Sequence, residues 1–191
     1  MTAGAIVGIV IGALVLVGIF FIWGTYNGLV RLRNQVKNAW AQIDVQLKRR
    51  HDLIPNLVET VRGYMKHERE TLEAVTNARN LAQQAVGRGV GQQSQAEQQL
   101  SGALGRLLAV VENYPDLKAN QNFLALQEEL TSTENRISFS RQYFNDSVLH
   151  LNNRIQMFPS NVIAGMFRFG QEDFFEVEAA AEREAPRVSF T

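Results

Sequence analysis

The chain contains no cysteine in its 191 residues. Disulfides, thiolate metal sites and cysteine nucleophiles are therefore excluded, while the compartment stays open. Prolines are few, at 4, and Ala, Gln, Leu, Glu and Arg fill long stretches. That composition favours helix over sheet. Neither sign of charge is in excess, because 19 basic residues balance 19 acidic ones, so no global basic field recruits nucleic acid. Motifs of catalysis are missing as well. No Gly-x-Ser-x-Gly elbow occurs. The glycine-rich Gly87-Arg88-Gly89-Val90-Gly91 follows a helical pattern and leads into Gln92-Gln93-Ser94, which makes it a linker rather than a phosphate cradle. In His67-Glu68-Arg69-Glu70-Thr71, Thr71 stands where a zinc-protease helix needs its second histidine. His51-Asp52 and His67-Glu68 are adjacent pairs pointing about 100° apart on a helix, so neither forms a shared site. Both histidines are expected to be solvated on helix surfaces, and no catalytic, metal-binding or cofactor-binding residue is expected.

What the chain does have is an uncharged run from Gly4 to Gly24. As a helix it reaches about 30 Å, enough to cross a bilayer core. It is longer than a signal-peptide core and ends in Trp23-Gly24-Thr25-Tyr26, where no cleavage motif follows and two rings suit a membrane interface. A retained single-pass anchor in contact with membrane lipid is the expectation. Arg31, Arg33 and Lys37 precede the first acid, Asp44, which places the following domain in the cytoplasm by the positive-inside rule. Gly4, Gly8 and Gly12 share one face of the span and would let two spans approach closely.

Beyond the anchor, apolar residues recur at three- and four-residue steps: Leu29, Leu32, Val36, Trp40, Ile43, Leu47, Ile54, Leu57, Val61, Met65, Leu72 and Val75. Such spacing marks a helix-packing seam. It keeps phase through Pro55, so one kinked helix over residues 26–85 is predicted, about 90 Å long. A shorter helix over 93–113 and a third through Phe123, Ile137, Phe144, Val148 and Phe158 follow, stopped at Pro159. The fold class read here is all-α, an N-terminal transmembrane helix continuing into a long antiparallel helical bundle. Residues 1–25 form the anchor, 26–160 the bundle, and 161–191 a C-terminal segment, docking or partly disordered.

Four charged residues fall on the seams: Arg50, Glu68, Glu134 and Arg141. Seam charges cost stability unless paired, and a paired set fixes register, so a polar network among them is expected. The basic cluster Lys48-Arg49-Arg50 reads as ion pairing with Asp44, Asp52 or the acids of the third helix. In the C-terminal segment Phe174, Phe175 and Phe190 would be unfavourable in water, since burying one contributes about 1.5–3 kcal/mol. The tail is therefore expected to dock, on its own bundle or in a neighbouring subunit's groove, with 187–190 able to pair as a short strand.

The strings Tyr26-Asn27-Gly28-Leu29-Val30, Ala39-Trp40-Ala41-Gln42-Ile43-Asp44, Asp52-Leu53-Ile54-Pro55-Asn56-Leu57, Tyr114-Pro115-Asp116-Leu117, Arg141-Gln142-Tyr143-Phe144-Asn145 and Phe158-Pro159-Ser160 closely resemble the LemA family. The likeness covers nearly the whole chain, including the final Ala185-Pro186-Arg187-Val188-Ser189-Phe190. It implies a bacterial inner-membrane protein with one span and a helical bundle, and it carries over no catalytic residue. Two functions follow as expectations: a non-enzymatic scaffold that forms homo-oligomers, or an adaptor that presents a helical face to an envelope protein such as a membrane protease. An enzyme using His51 or His67 is the least supported reading.

Overall fold

The computed structural model describes residues 3–65 and 67–175. Phe190 and the 187–190 run lie outside them. Six helices follow one another: α1 (Ala3–Arg62), α2 (Arg69–Ala85), α3 (Val90–Val111), α4 (Pro115–Lys118), α5 (Gln121–Gln156) and α6 (Ser160–Met166). No strand occurs among the described residues. They group into two compact units, to both of which α1 and α5 contribute a stretch.

The first unit holds the start of α1 up to Ile43 together with residues 140–172. Its α1 stretch begins with the uncharged run, whose side chains are exposed from Ile6 to Trp23. Past that run the helix becomes half-buried. Leu29, Val36, Ala39 and Ile43 recur on one face and are covered, as are Phe144, Val148 and Leu151 of α5. Gln35 Nε2 donates to Ser147 Oγ at 3.4 Å, and the Trp40 and Phe144 rings lie 5.2 Å apart. These pairs run in opposite order along the two helices, so the packing is antiparallel. α5 ends at Gln156, which leaves Phe158 outside the seam and 80% exposed, against the expectation that it continues the third helix's apolar face. α6 then buries Ser160, Ile163 and Ala164. It closes with Phe169 N–H on the Ala164 carbonyl at 2.9 Å and Arg168 at φ 55°. That left-handed closure is more usual for glycine and costs a residue with a Cβ about 1–2 kcal/mol. It turns Phe169 back to Tyr26, 5.8 Å between rings, and under the Arg33 guanidinium at 5.1 Å. Asn152 holds the exit segment by both backbone polar groups of one residue: its Nδ2 donates to the Glu172 carbonyl and its Oδ1 accepts the Glu172 N–H.

The second unit comprises 44–139 and the residues from Asp173 on. Its core is continuous, with Ile54, Leu57 and Val61 of α1, Val75 of α2, Leu100 and Leu107 of α3, and Phe123 of α5 all nearly inaccessible. α2 and α3 form a hairpin whose turn uses Gly87 at φ 79° and Gly89 at φ 100°, conformations open to glycine. Leu117 of α4 is buried, and Asn120 caps α5 by accepting the N–H groups of Asn122 and Phe123.

The helix predicted over 26–85 is divided, and not at its proline. α1 continues unbroken through Pro55. Proline withholds the amide that the His51 carbonyl would have accepted, and Arg79 Nε supplies the missing donor at 2.7 Å. The break falls instead at Gly63-Tyr64, where Tyr64 N–H and Met65 N–H both turn back to the Val61 carbonyl. Met65 stays buried at 1% exposure, which is why the seam keeps its rhythm across a loop. Tyr64 Oη accepts a bond from Asn120, and Tyr114 Oη donates to Glu68 at 3.3 Å, so the loop is tied down on both sides. Phe175 is buried at 2% exposure and Phe174 is 39% exposed.

Candidate functional site

Within the second unit the polar residues gather where α1, α3 and α5 meet. The leucine face of α3, Leu100, Leu104, Leu107 and Val111, extends backward in steps of three and four onto Glu97 and Gln93. Both are buried. α1 sets Arg50 and His51 against them, each 4% exposed. The Arg50 guanidinium is the hub. Its Nη1 lies 3.5 Å from Glu97 Oε2, and its Nη2 donates to Ser101 Oγ at 2.7 Å and sits 3.3 Å from Glu134 Oε2. His51 Nε2 is 2.7 Å from Glu97 Oε1. An ionised carboxylate only accepts, so the His51 nitrogen facing it carries the proton. One turn earlier Gln93 Nε2 donates to Asp44 Oδ1 at 3.1 Å. Burial raises the Asp44 carboxyl above its usual range, and the Gln93 bond partly opposes that. Tyr114 is likewise raised, by desolvation first and then by the charge and hydrogen bond of Glu68. At the rim Arg49 pairs with Glu129 at 2.6 Å, both sides about half exposed.

Of the four seam charges expected to form one network, the structure joins Arg50 to Glu134. Glu68 stands in the loop before α2, with Tyr114, and Arg141 belongs to the other unit. His51 is buried rather than solvated, which corrects the surface reading. A proton on its ring is held by a carboxylate that sequence spacing did not connect to it. His67 is exposed. Glu97, Ser101 and Gln93 were missed, and the signal was available: the 93, 97, 100, 104, 107 rhythm puts two polar residues on an otherwise apolar face. The three glycines Gly4, Gly8 and Gly12 have open space where a Cβ would stand.

Chemically, the cluster joins helices. Glu97 and His51 resemble the base half of a hydrolase triad, but Ser101 Oγ is engaged by Arg50. Arg50, His51 and Glu97 are almost inaccessible, so no substrate reaches these three as they stand. A cleft of about 560 Å³ lies elsewhere in the unit, lined by Arg62, Met65, Arg69, Leu72, Glu73, Thr76 and Asn77, and there Arg69 is paired to Glu73 at 2.6 Å. Among the described residues no group of three or more His, Asp or Glu side chains is placed to hold a metal ion.

Fold and cluster together define an all-helical protein with one exposed apolar N-terminal helix, of the kind that serves as a membrane anchor or signal sequence. The chain belongs to the LemA family, which it matches over residues 39–190. It is 30% identical to Protein LemA of Metamycoplasma hominis over 152 residues, covering 78% of this chain and 68% of that protein. Magnetosome protein MamQ of Magnetospirillum gryphiswaldense is 23% identical over 181 residues, with 82% of this chain and 66% of that protein covered. Magnetosome protein MamQ 2 of Paramagnetospirillum magneticum gives the same identity and coverage. The chain thus spans about two thirds of the length of these relatives.

Proposed function

We propose that the protein is a non-enzymatic scaffold, anchored by its N-terminal helix in the bacterial inner membrane, that self-associates and organises membrane or partner proteins. The observation that carries this reading is where the chemistry goes. The buried ionisable groups, Arg50, His51 and Glu97, are engaged with one another across helices, while the large apolar side chains from Ile6 to Trp23 stay exposed. The names of its relatives, LemA and MamQ, denote no reaction. The basic flank Arg31, Arg33 and Lys37 supports a cytoplasmic bundle.

Self-association through the span is tested with Gly8→Ile. A Cβ at Gly8 meets no atom of another part of the chain within 4 Å, so the change is expected to leave the monomer intact and to block a close helix neighbour. In mild detergent the wild type is expected to sediment as an oligomer and the variant as a smaller species. A wild type that sediments as a monomer refutes the scaffold and favours the adaptor. An oligomer unchanged by the substitution moves the contact off the glycine face.

A further inference from the structure

The first unit presents an apolar surface at the point where the N-terminal helix leaves its uncharged run. Met157, Phe158, Val162, Met166 and Phe167 are all exposed, by 47 to 80%. They cluster at the end of α5 and along the outer side of α6, whose inner side, Ser160, Ile163 and Ala164, is buried. Large apolar side chains gathered on one exposed surface mark a place of interaction. Its place along α1 identifies which one. The Phe167 ring stands 4.7 Å from that of Tyr26, and with Ile19, Ile22, Trp23 and Tyr26 it lines an apolar recess of about 330 Å³. The antiparallel pairing fixes the same height independently. Trp40 meets Phe144 and Gln35 meets Ser147, so α5, descending at one residue per residue, brings Met157 and Phe158 level with Thr25 and Tyr26. Trp23 and Tyr26 mark the exit of the uncharged run, where ring side chains sit in a membrane–water interface.

We infer that α6 and the end of α5 form a lipid-contacting platform: Phe158, Val162 and Met166 enter the headgroup and upper acyl region of the same bilayer leaflet that the N-terminal helix exits. The surface is continuous with the span through Phe167, and this continuity selects lipid over another occupant. Arg154 and Arg168 are exposed on either side of the platform, suited to lipid phosphates, and the nearest acid along the exit segment, Glu172, has its backbone held on Asn152. The second contact resists rocking of this unit about a lone helix, as an interfacial helix does in monotopic proteins. The inference rests on the anchor reading of residues 4–24.

The absence of cysteine makes the test clean. Single variants Phe158→Cys, Val162→Cys and Met166→Cys carry a nitroxide label in full-length protein, one chain per nanodisc of phosphatidylethanolamine and phosphatidylglycerol. Val10→Cys reports the span. Tyr143→Cys, exposed and next to the residue that meets Trp40, reports water about 20 Å along α5 from its end at Gln156. The expected result is an oxygen-over-nickel-chelate collision ratio several-fold higher at 158, 162 and 166 than at 143, and highest at 10. Ratios at the three platform sites equal to that at 143, with residue 10 still in lipid, overturn the platform and leave the anchor standing. A water-exposed residue 10 overturns both. Dipolar broadening at 158 that grows with chains per disc overturns the lipid assignment in favour of a second copy of the chain.

Discussion

Replacing Glu97 with alanine separates the buried ionic cluster from an ordinary surface pair. Glu97 is 3% exposed and faces both Arg50 and His51, themselves 4% exposed. Removing it leaves the Arg50 guanidinium with Glu134 as its remaining carboxylate among the described residues, and it leaves His51 Nε2 without its carboxylate partner. Loss of one member of a buried pair costs about 3–5 kcal/mol, most of it the uncompensated charge left behind. Glu134 touches the same guanidinium, but its side chain is 45% exposed, so Glu134→Ala costs up to about 1 kcal/mol. For a chain of this size each kcal/mol moves the melting midpoint by about 2–4 °C, which separates the two variants clearly: about 6–20 °C against at most about 4 °C. Full-length protein in detergent, followed by far-ultraviolet circular dichroism on heating, reads both. A triple variant with apolar residues of similar volume at Arg50, His51 and Glu97 should recover most of the loss, because it removes the desolvation cost together with the pairing. A Glu97→Ala protein that melts no lower than Glu134→Ala refutes the view that this cluster holds the helices in register.

Two further perturbations probe smaller features. Burial raises the folded-state pKa of Asp44 above 3.8, so the folded chain holds that proton more tightly than the unfolded one, and the charged form opposes folding near neutrality. Asp44→Asn keeps an acceptor for Gln93 and should match or exceed wild-type stability at pH 7, an advantage that fades as acid titrates the carboxyl towards and below pH 3.8; a constant difference from pH 7 down to pH 3.8 would contradict this. Asn152→Ala removes both bonds to the Glu172 backbone, at a cost of about 1–3 kcal/mol. Hydrogen exchange at the Glu172 amide should accelerate while amides in α3 keep their protection, and equal acceleration everywhere would mean a global effect.

Helix content and the apolar N-terminal run were legible because both are local in sequence: composition and three- and four-residue spacing report them directly. The position of the helix break was not. Pro55 is the residue that normally interrupts a helix, yet the consequence of its missing amide is cancelled by Arg79, 28 residues from the His51 carbonyl it satisfies, and no local pattern announces that rescue. The actual break at Gly63-Tyr64 hid because Met65 folds back to the buried side, so the apolar rhythm continued over a segment that is not helical. The hub residue Arg50 and its partner Glu134 were readable as charges on apolar faces. Their third partner, Glu97, demanded that the rhythm of α3 be followed into its polar end. Arg141 shared the pattern of Glu134 but lies in the other compact unit, a distinction that spacing along one helix does not carry.

The pairing of α1 with α5 in the first unit has a consequence for how the chain is made. Gln35 and Ser147, which meet, are 112 residues apart, and Trp40 waits for Phe144 over a similar stretch. At about 5–20 residues per second, the apolar face from Leu29 to Ile43 leaves the ribosome roughly 5–20 s before its partner exists. The α2–α3 hairpin, whose contacts are near in sequence, has ample time to form in that interval. For those seconds an incomplete chain carries a bare adhesive stripe just beyond its uncharged run, and whatever binds it then, a holdase or a neighbouring nascent chain, competes with α5 for the same face.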